Sequence, residues 1–316
     1  MSNCSKTVFL FSGQGCQCPG MGVWITEKYP QLKYVWDTAE SVLGFDLYEK
    51  CKSAGAEELA VTAVAQPAIM AVSILACEAL KLEGAEFSAA AGHSLGEYAA
   101  MVECGMLSLE DGFRVIKARS EAMQSCVEKS GGNAGVMYAI IGKSTEEIEK
   151  VCAETEGYVL AVNYNSAVQT VIAGEDNACT AAAAKLAESG AKAVKLGVAA
   201  AFHSKLMQPA ADEFRSELER LIADGVKFNE PKIRMMSNIT GKELTDIDNM
   251  PERLASHIVS PVRFTDELYA LERDGYDTYI ECGPGKVLTG LVRKTLKGVS
   301  FGSTDDEGNF GKSAAL

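Results

Sequence analysis

Two periods of apolar residues alternate along this chain. Short apolar blocks read as strands at residues 7–11, 89–91, 136–141, 158–163, 169–173, 192–197, 232–237 and 276–281. Between them, apolar positions three and four apart predict helices over 34–42, 65–81, 97–104, 144–155, 177–189, 209–223, 251–257 and 286–294. Boundary residues agree with this division. Pro67 sits near a helix start, where proline is tolerated, and Gly84 follows the end of that helix. Gly105 reads as a C′ residue. Ser108-Leu109-Glu110-Asp111 resembles a capping box and opens a further helix. From Asp305 onward the pattern lapses, and the end of the chain reads as frayed.

The strands and helices alternate as in an α/β protein. One segment, 136–198, carries its own order of strand, helix, strand, strand, helix, strand. That is the βαββαβ order of a ferredoxin-like unit. Gly131-Gly132-Asn133 makes a flexible entry to it. The pattern therefore divides the chain into a large subdomain, 1–131 with 199–316, and a small inserted subdomain, 132–198.

Composition narrows the function classes. With 316 residues and 47% hydrophobic content, the chain can bury a sizeable core. A net charge of −13 argues against general binding to nucleic acid or to an anionic membrane. No run of about 18 apolar residues is evident, so no membrane span is expected. The first six residues lack a signal peptide's layout. Ten cysteines are scattered singly and there are three histidines, a poor basis for a zinc site. The cysteines read as reduced core residues, which suits the cytoplasm.

The chemistry centres on Gly92-His93-Ser94-Leu95-Gly96, between a small-residue strand and a helix. This is the pattern of a nucleophile elbow, in which a sharp strand-to-helix turn presents a serine. The glycines flank the serine because such a turn leaves no room for Cβ atoms. Upstream, Ser12-Gly13-Gln14-Gly15-Cys16-Gln17 follows a strand but matches neither a P-loop nor Gly-x-Gly-x-x-Gly. It is either a tight turn or a loop whose backbone lies against a ligand. On the helix after Ser108, one stripe collects Gly112, Val115, Ile116, Arg119, Ala122, Met123 and Cys126. An arginine on an otherwise apolar stripe needs an anion, supplied by an internal acid or by a substrate. A serine nucleophile also needs a base. His93 should point away from Ser94. His203, where the small subdomain rejoins the large one, is the preferred candidate, and His257 is its rival.

At this point the chain resembles the malonyl-CoA:acyl-carrier-protein transacylases of fatty-acid and polyketide synthesis. The resemblance rests on Phe11-Ser12-Gly13-Gln14-Gly15-Cys16-Gln17, Gly92 through Tyr98, Arg119, Asn163-Tyr164-Asn165-Ser166, Ala201-Phe202-His203-Ser204, Ser260-Pro261-Val262-Arg263 and Glu281 through Leu288. It implies an α/β-hydrolase-like large subdomain with a parallel-sheet core and a ferredoxin-like insert. It implies a monomeric cytoplasmic acyltransferase without cofactor. Ser94 would take malonyl from malonyl-CoA and pass it to the phosphopantetheine thiol of acyl carrier protein, with His203 as base and then acid. Gln14 and Leu95 would offer backbone N–H groups to the oxyanion. Arg119 would hold the malonyl carboxylate, Asn165 would support the cleft, and Phe202 would crowd an α-methyl branch.

Three positions depart from that family's pattern. Cys16 replaces a serine, and Ala201 a proline. His257 stands where relatives often carry a glutamine whose carbonyl orients the catalytic histidine; any residue offers that carbonyl. Docking of an acidic carrier protein would need a local basic face, for which Lys286 and Lys294 are candidates. Three readings compete: a serine thioesterase or esterase, a loading enzyme for polyketides, and a non-catalytic docking module. The esterase would need an acid on its histidine. The intact Ser94, His203 and Arg119 argue against the docking module.

Overall fold

Ten strands form two sheets in the computed structural model, which describes residues 6–316. Residues 1–5, including Cys4 and nearly all of the segment read for a signal peptide, lie outside the described residues. The strands are β1 (Thr7–Phe11), β2 (Ala89–Gly92), β3 (Val136–Ile141), β4 (Val159–Ser166), β5 (Gln169–Gly174), β6 (Lys192–Lys195), β7 (Arg234–Ser237), β8 (Lys242–Glu243), β9 (Thr278–Cys282) and β10 (Ser300–Ser303).

The large sheet has the order β10-β9-β1-β2-β7-β8. Its first five strands run parallel, and β8 pairs antiparallel with β7. β1 lies at its centre because it is apolar on both faces, as a parallel strand covered by helices must be. Phe9 and Phe11 enter one core cluster, while Val8 and Leu10 enter the other. The small sheet, β4-β5-β3-β6, is wholly antiparallel. One of its faces packs Ile140 and Ile172 under the helices Thr145–Ala153 and Asp176–Glu188. The opposite face turns Met137, Ala139, Val171 and Ala173 toward the core of the large sheet. Period-two alternation thus gives each sheet two different tasks. The two bodies are joined by more than their connecting chain. Tyr164 donates its N–H to Val262 O at 2.8 Å, and Val262 N–H donates to Val162 O at 2.8 Å. Ser144 completes a capping box with Glu147 at the start of one small-sheet helix.

The structure corrects several expectations. Helix Thr62–Leu82 is long and apolar enough to span a membrane, with a mean hydropathy of 1.7. It is instead a core helix, with 83% of that window buried against the rest of the protein. Its start at Thr62 places Pro67 inside the helix rather than in its first turn. β4 extends to Ser166 and so takes in Asn165. Ser108 caps its helix by accepting from Asp111 N–H, one half of a capping box.

The end of the chain is not frayed. β10 adds a parallel strand beside β9, and the helix Glu307–Ser313 docks behind it. Asp306 caps that helix by accepting from Asn309 N–H at 2.8 Å. Phe310 is 1% exposed and packs against Trp24 and Tyr29. A single buried aromatic among glycine, asparagine and lysine gives too little periodicity to register as a helix. Phe310→Ala should therefore lower unfolding stability by about 3–5 kcal/mol, the usual cost of truncating a buried phenylalanine, as measured by denaturant titration.

Candidate active site

The parallel pairing of β1 with β2 brings two loops together at the carboxyl ends of the strands, Ser12–Gln17 and the turn at Ser94. Ligands collect at this edge of an open α/β sheet. Ser94 adopts φ 54°, a left-handed conformation that costs a non-glycine residue energy. Its neighbours must be glycine for reasons of space. A Cβ on Gly96 would lie 2.1 Å from Phe11 O, and one on Gly92 would lie 2.2 Å from Glu97 N. The helix Gly96–Glu103 leaves directly from the turn.

Ser94 Oγ lies 2.9 Å from His203 Nε2. His203 is also left-handed, at φ 62°. Its Nδ1 faces two carbonyl oxygens, His257 O and Ser260 O, both at 3.0 Å. Two acceptors at Nδ1 place the proton there and leave Nε2 free to accept from the serine. Among the described residues no carboxylate bonds this imidazole. Burial, together with the nearby Arg119 cation, pushes His203 down to about 3, so the ring is neutral at physiological pH. The His257 side chain points away from the cavity, and its Nδ1 lies 3.2 Å from Glu97 Oε2 without hydrogen-bond alignment. His93 also faces away from the serine, meeting Asn165 Oδ1 through Nε2 at 2.8 Å.

Arg119 is 1% exposed on the buried side of helix Leu109–Lys129. Nη1 donates to Gln66 Oε1 at 2.6 Å, and Nη2 donates to Ser94 Oγ at 3.1 Å. The guanidinium stacks 5.3 Å from the centre of the Tyr98 ring, and its Nε has no partner. Among the described residues no Asp or Glu forms an ion pair with it. The one internal acid among the described residues that acts on it, the buried Glu97, does so from beyond ion-pair distance.

Gln14, Ser94, Arg119, Asn165, Phe202 and His203 share one cavity of about 230 Å³. The side chains of Leu95 and His257 are buried behind its wall, so both can act there only through backbone. Among the described residues neither the Gln14 N–H nor the Leu95 N–H donates a hydrogen bond, which leaves both free for an oxyanion. Cys16 Sγ turns back to Gly13 O at 2.9 Å. Apolar side chains of the small sheet, including Met137 and Val171, complete the far wall.

The roles of three contributors escaped the sequence reading, although Glu281 stood in a stretch that carried the resemblance. Gln66 had one signal, a polar residue in an otherwise apolar helix. Glu281, which accepts from Ser12 Oγ at 3.2 Å and from Thr289 N–H at 2.8 Å, braces the Gln14 loop; burial raises its carboxyl to about 7. Asn238, in the turn after β7, bonds directly to the elbow.

The chain is similar to known proteins over nearly its whole length. Residues 8–307 match the acyl transferase domain family. The malonyl CoA-acyl carrier protein transacylase of Bacillus subtilis is 37% identical over 294 residues, covering 92% of this chain and 90% of that protein. The crystal structure of the malonyl CoA-acyl carrier protein transacylase from Clostridium perfringens superposes with a TM-score of 0.91 at 34% identity, covering 98% and 96% of the two chains. A malonyl-transacylase solved in complex with its type II PKS acyl-carrier protein gives 0.90 at 32% identity, covering 98% and 99%. A match that begins in the first strand and ends at the last helix includes both sheets and the cavity between them: the chain belongs to the acyl transferase domain family.

Proposed function

We propose that this acyltransferase moves malonyl from malonyl-CoA to the phosphopantetheine thiol of acyl carrier protein, supplying extender units for fatty-acid synthesis. The observation that carries the reading is Arg119, a buried cation with no carboxylate in direct contact, 3.1 Å from the serine oxygen. A malonyl carboxylate would give it a directly bonded anion, and Arg119 lines the cavity that holds Ser94. No cofactor is needed for this chemistry.

In the first half-reaction Ser94 Oγ attacks the thioester carbon while its proton passes to His203 Nε2. The carbonyl oxygen becomes an oxyanion held by the Gln14 and Leu95 N–H groups. Collapse breaks the C–S bond, and the coenzyme A sulfur leaves with the proton from His203. In the second half, the carrier thiol gives its proton to His203, attacks the serine ester and releases Ser94, which recovers the proton. Binding of the carboxylate also neutralises Arg119, one of the charges that depress His203. The base therefore strengthens when the substrate arrives. The carbonyl partners of His203 Nδ1 favour this reading over a thioesterase, whose histidine would be held by an acid.

The architecture is read in the same way. Residues 1–131 with 199–316 form an α/β-hydrolase-like subdomain, and 132–198 a ferredoxin-like one. The second reading is supported by the β4-β5-β3-β6 order. The working unit is a cytoplasmic monomer. Exposed Val287, which lines the cavity, and exposed Lys286 and Lys294 near the two ends of its helix offer an acidic carrier an apolar contact beside positive charge, although Lys286 is partly engaged by Asp305 at 3.1 Å.

Three outcomes test this reading. Intact-mass measurement should find malonyl added to the wild-type protein and no adduct on Ser94→Ala. Arg119→Ala should lower kcat/KM for malonyl-CoA by at least ~10–100-fold, from the loss of a charged hydrogen bond, and leave acetyl-CoA nearly unchanged. An equal loss for both would make Arg119 structural. Finally, kcat/KM for malonyl loading should stay level from pH 8 to pH 5, because His203 is already neutral throughout. An ordinary histidine near 6.5 would lose roughly 30-fold by pH 5.

A further inference from the structure

β2 and β7 run parallel, with Ala89 beside Arg234 and Ala90 beside Met235. Continuing that register sets Asn238 next to the nucleophile turn. Asn238 is fully buried, and every polar group it has is engaged. Its Oδ1 accepts from Ser94 N–H at 2.7 Å, and its Nδ2 donates to Gly92 O at 2.6 Å. Nδ2 donates also to Glu267 Oε1 at 2.8 Å, and the Asn238 N–H donates to Glu97 Oε1 at 2.5 Å. The two backbone partners fix the amide's orientation. Turned over, it would set N–H against N–H and oxygen against oxygen.

We infer that Asn238 is the positioning residue of the nucleophile, a clamp that holds the Ser94 turn from both sides while touching neither substrate. Resting on the assignment of Ser94 as nucleophile, this goes beyond it in two ways. First, a left-handed serine persists only where its surroundings over-determine it, and the Asn238 amide is the side chain bonded to both flanks of the turn. Second, the clamp occupies the Ser94 N–H, so the amide presented to the oxyanion from the elbow is that of Leu95. The carboxamide is suited to the place as a carboxylate is not. It donates and accepts at once, and it sits between two buried carboxyl groups, Glu97 and Glu267, without adding a charge.

The test compares Asn238→Ala and Asn238→Asp with wild type by single-turnover malonyl loading, KM for malonyl-CoA and thermal unfolding. Peptide mapping of the wild-type adduct comes first. An adduct absent from Ser94 would overturn the functional reading itself, whereas an adduct on Ser94 isolates the question of Asn238. Misplacing a reacting atom by about 1 Å costs on the order of 10²-fold, so Asn238→Ala should load about 10–100-fold more slowly with KM unchanged within twofold. Asn238→Asp keeps the acceptor for Ser94 N–H and loses the donor to Gly92 O until it is protonated. The groups around position 238 are Glu97, Glu267 and Asp266, His257 and Arg253, with Arg119 beyond Glu97. The adjacent carboxyls raise the new acid's pKa. Relative to wild type at the same pH, loading by Asn238→Asp should therefore recover as pH falls from 8 to 5. A folded Asn238→Ala that loads within twofold of wild type would overturn the proposal, as would an Asn238→Asp profile parallel to wild type. Failure of both variants to fold would also overturn it, since the residue would then hold the sheet rather than the turn.

Discussion

At the end of β2 the backbone passes so close to the end of β1 that no side chain fits between them. A methyl group on Gly96 would overlap Phe11 O. This contact is the constraint on which the site depends. It forces the chain to reverse within a few residues, which drives Ser94 into a left-handed conformation. It also brings the Gln14 loop, the continuation of β1, beside the Ser94 turn. The proposed oxyanion site would then be a by-product of two parallel strands ending at the same level, with glycine where the chains meet. His203 arrives from the other side in the same rare conformation. Both members of the pair are held in strained backbone by their surroundings, which is where such strain is commonly found.

Arg119 is the second organising feature, and its role is electrostatic. A guanidinium inside a largely apolar cavity, with a glutamine and a serine for partners, is a charge kept in waiting. Burying it costs stability that an internal carboxylate would offset. The protein forgoes that compensation in direct contact. On the function proposed above, a ligand anion would supply it, and the same anion would offset a positive charge acting on His203.

Legibility followed the range of the interactions. Ser94 and its glycines were readable because the constraint is local, three or four residues wide. Arg119 was readable because helical spacing placed a charge on an apolar stripe. His203 could be preferred for its position where the expected insert rejoins the rest of the chain. The His257 carbonyl was expected from the resemblance alone, and the Ser260 carbonyl was not foreseen. Asn238 was not readable, since it meets Ser94 across 144 residues of chain through strand pairing. Gln66 meets Arg119 across 53 residues, between two helices. The terminal helix was missed because its energy resides in one phenylalanine. The 62–82 helix was read from residue 65 because Pro67 near that point suggested a helix start, whereas the helix begins at Thr62 and carries the proline inside.

The join between β4 and Val262 gives the molecule a particular kind of modularity. Were the small sheet attached only by its two connecting segments, it would be a guest that could be lifted out or exchanged whole. Instead, hydrogen bonds from residues 162 and 164 to Val262 sew its edge into the host some hundred residues further along the chain. Val262 lies two residues after Ser260, whose carbonyl faces His203 Nδ1. The seam and the support of His203 are thus one piece of backbone. A transplant of the small sheet between relatives would have to carry that piece with it, because the far wall of the cavity and the orientation of His203 are inherited together.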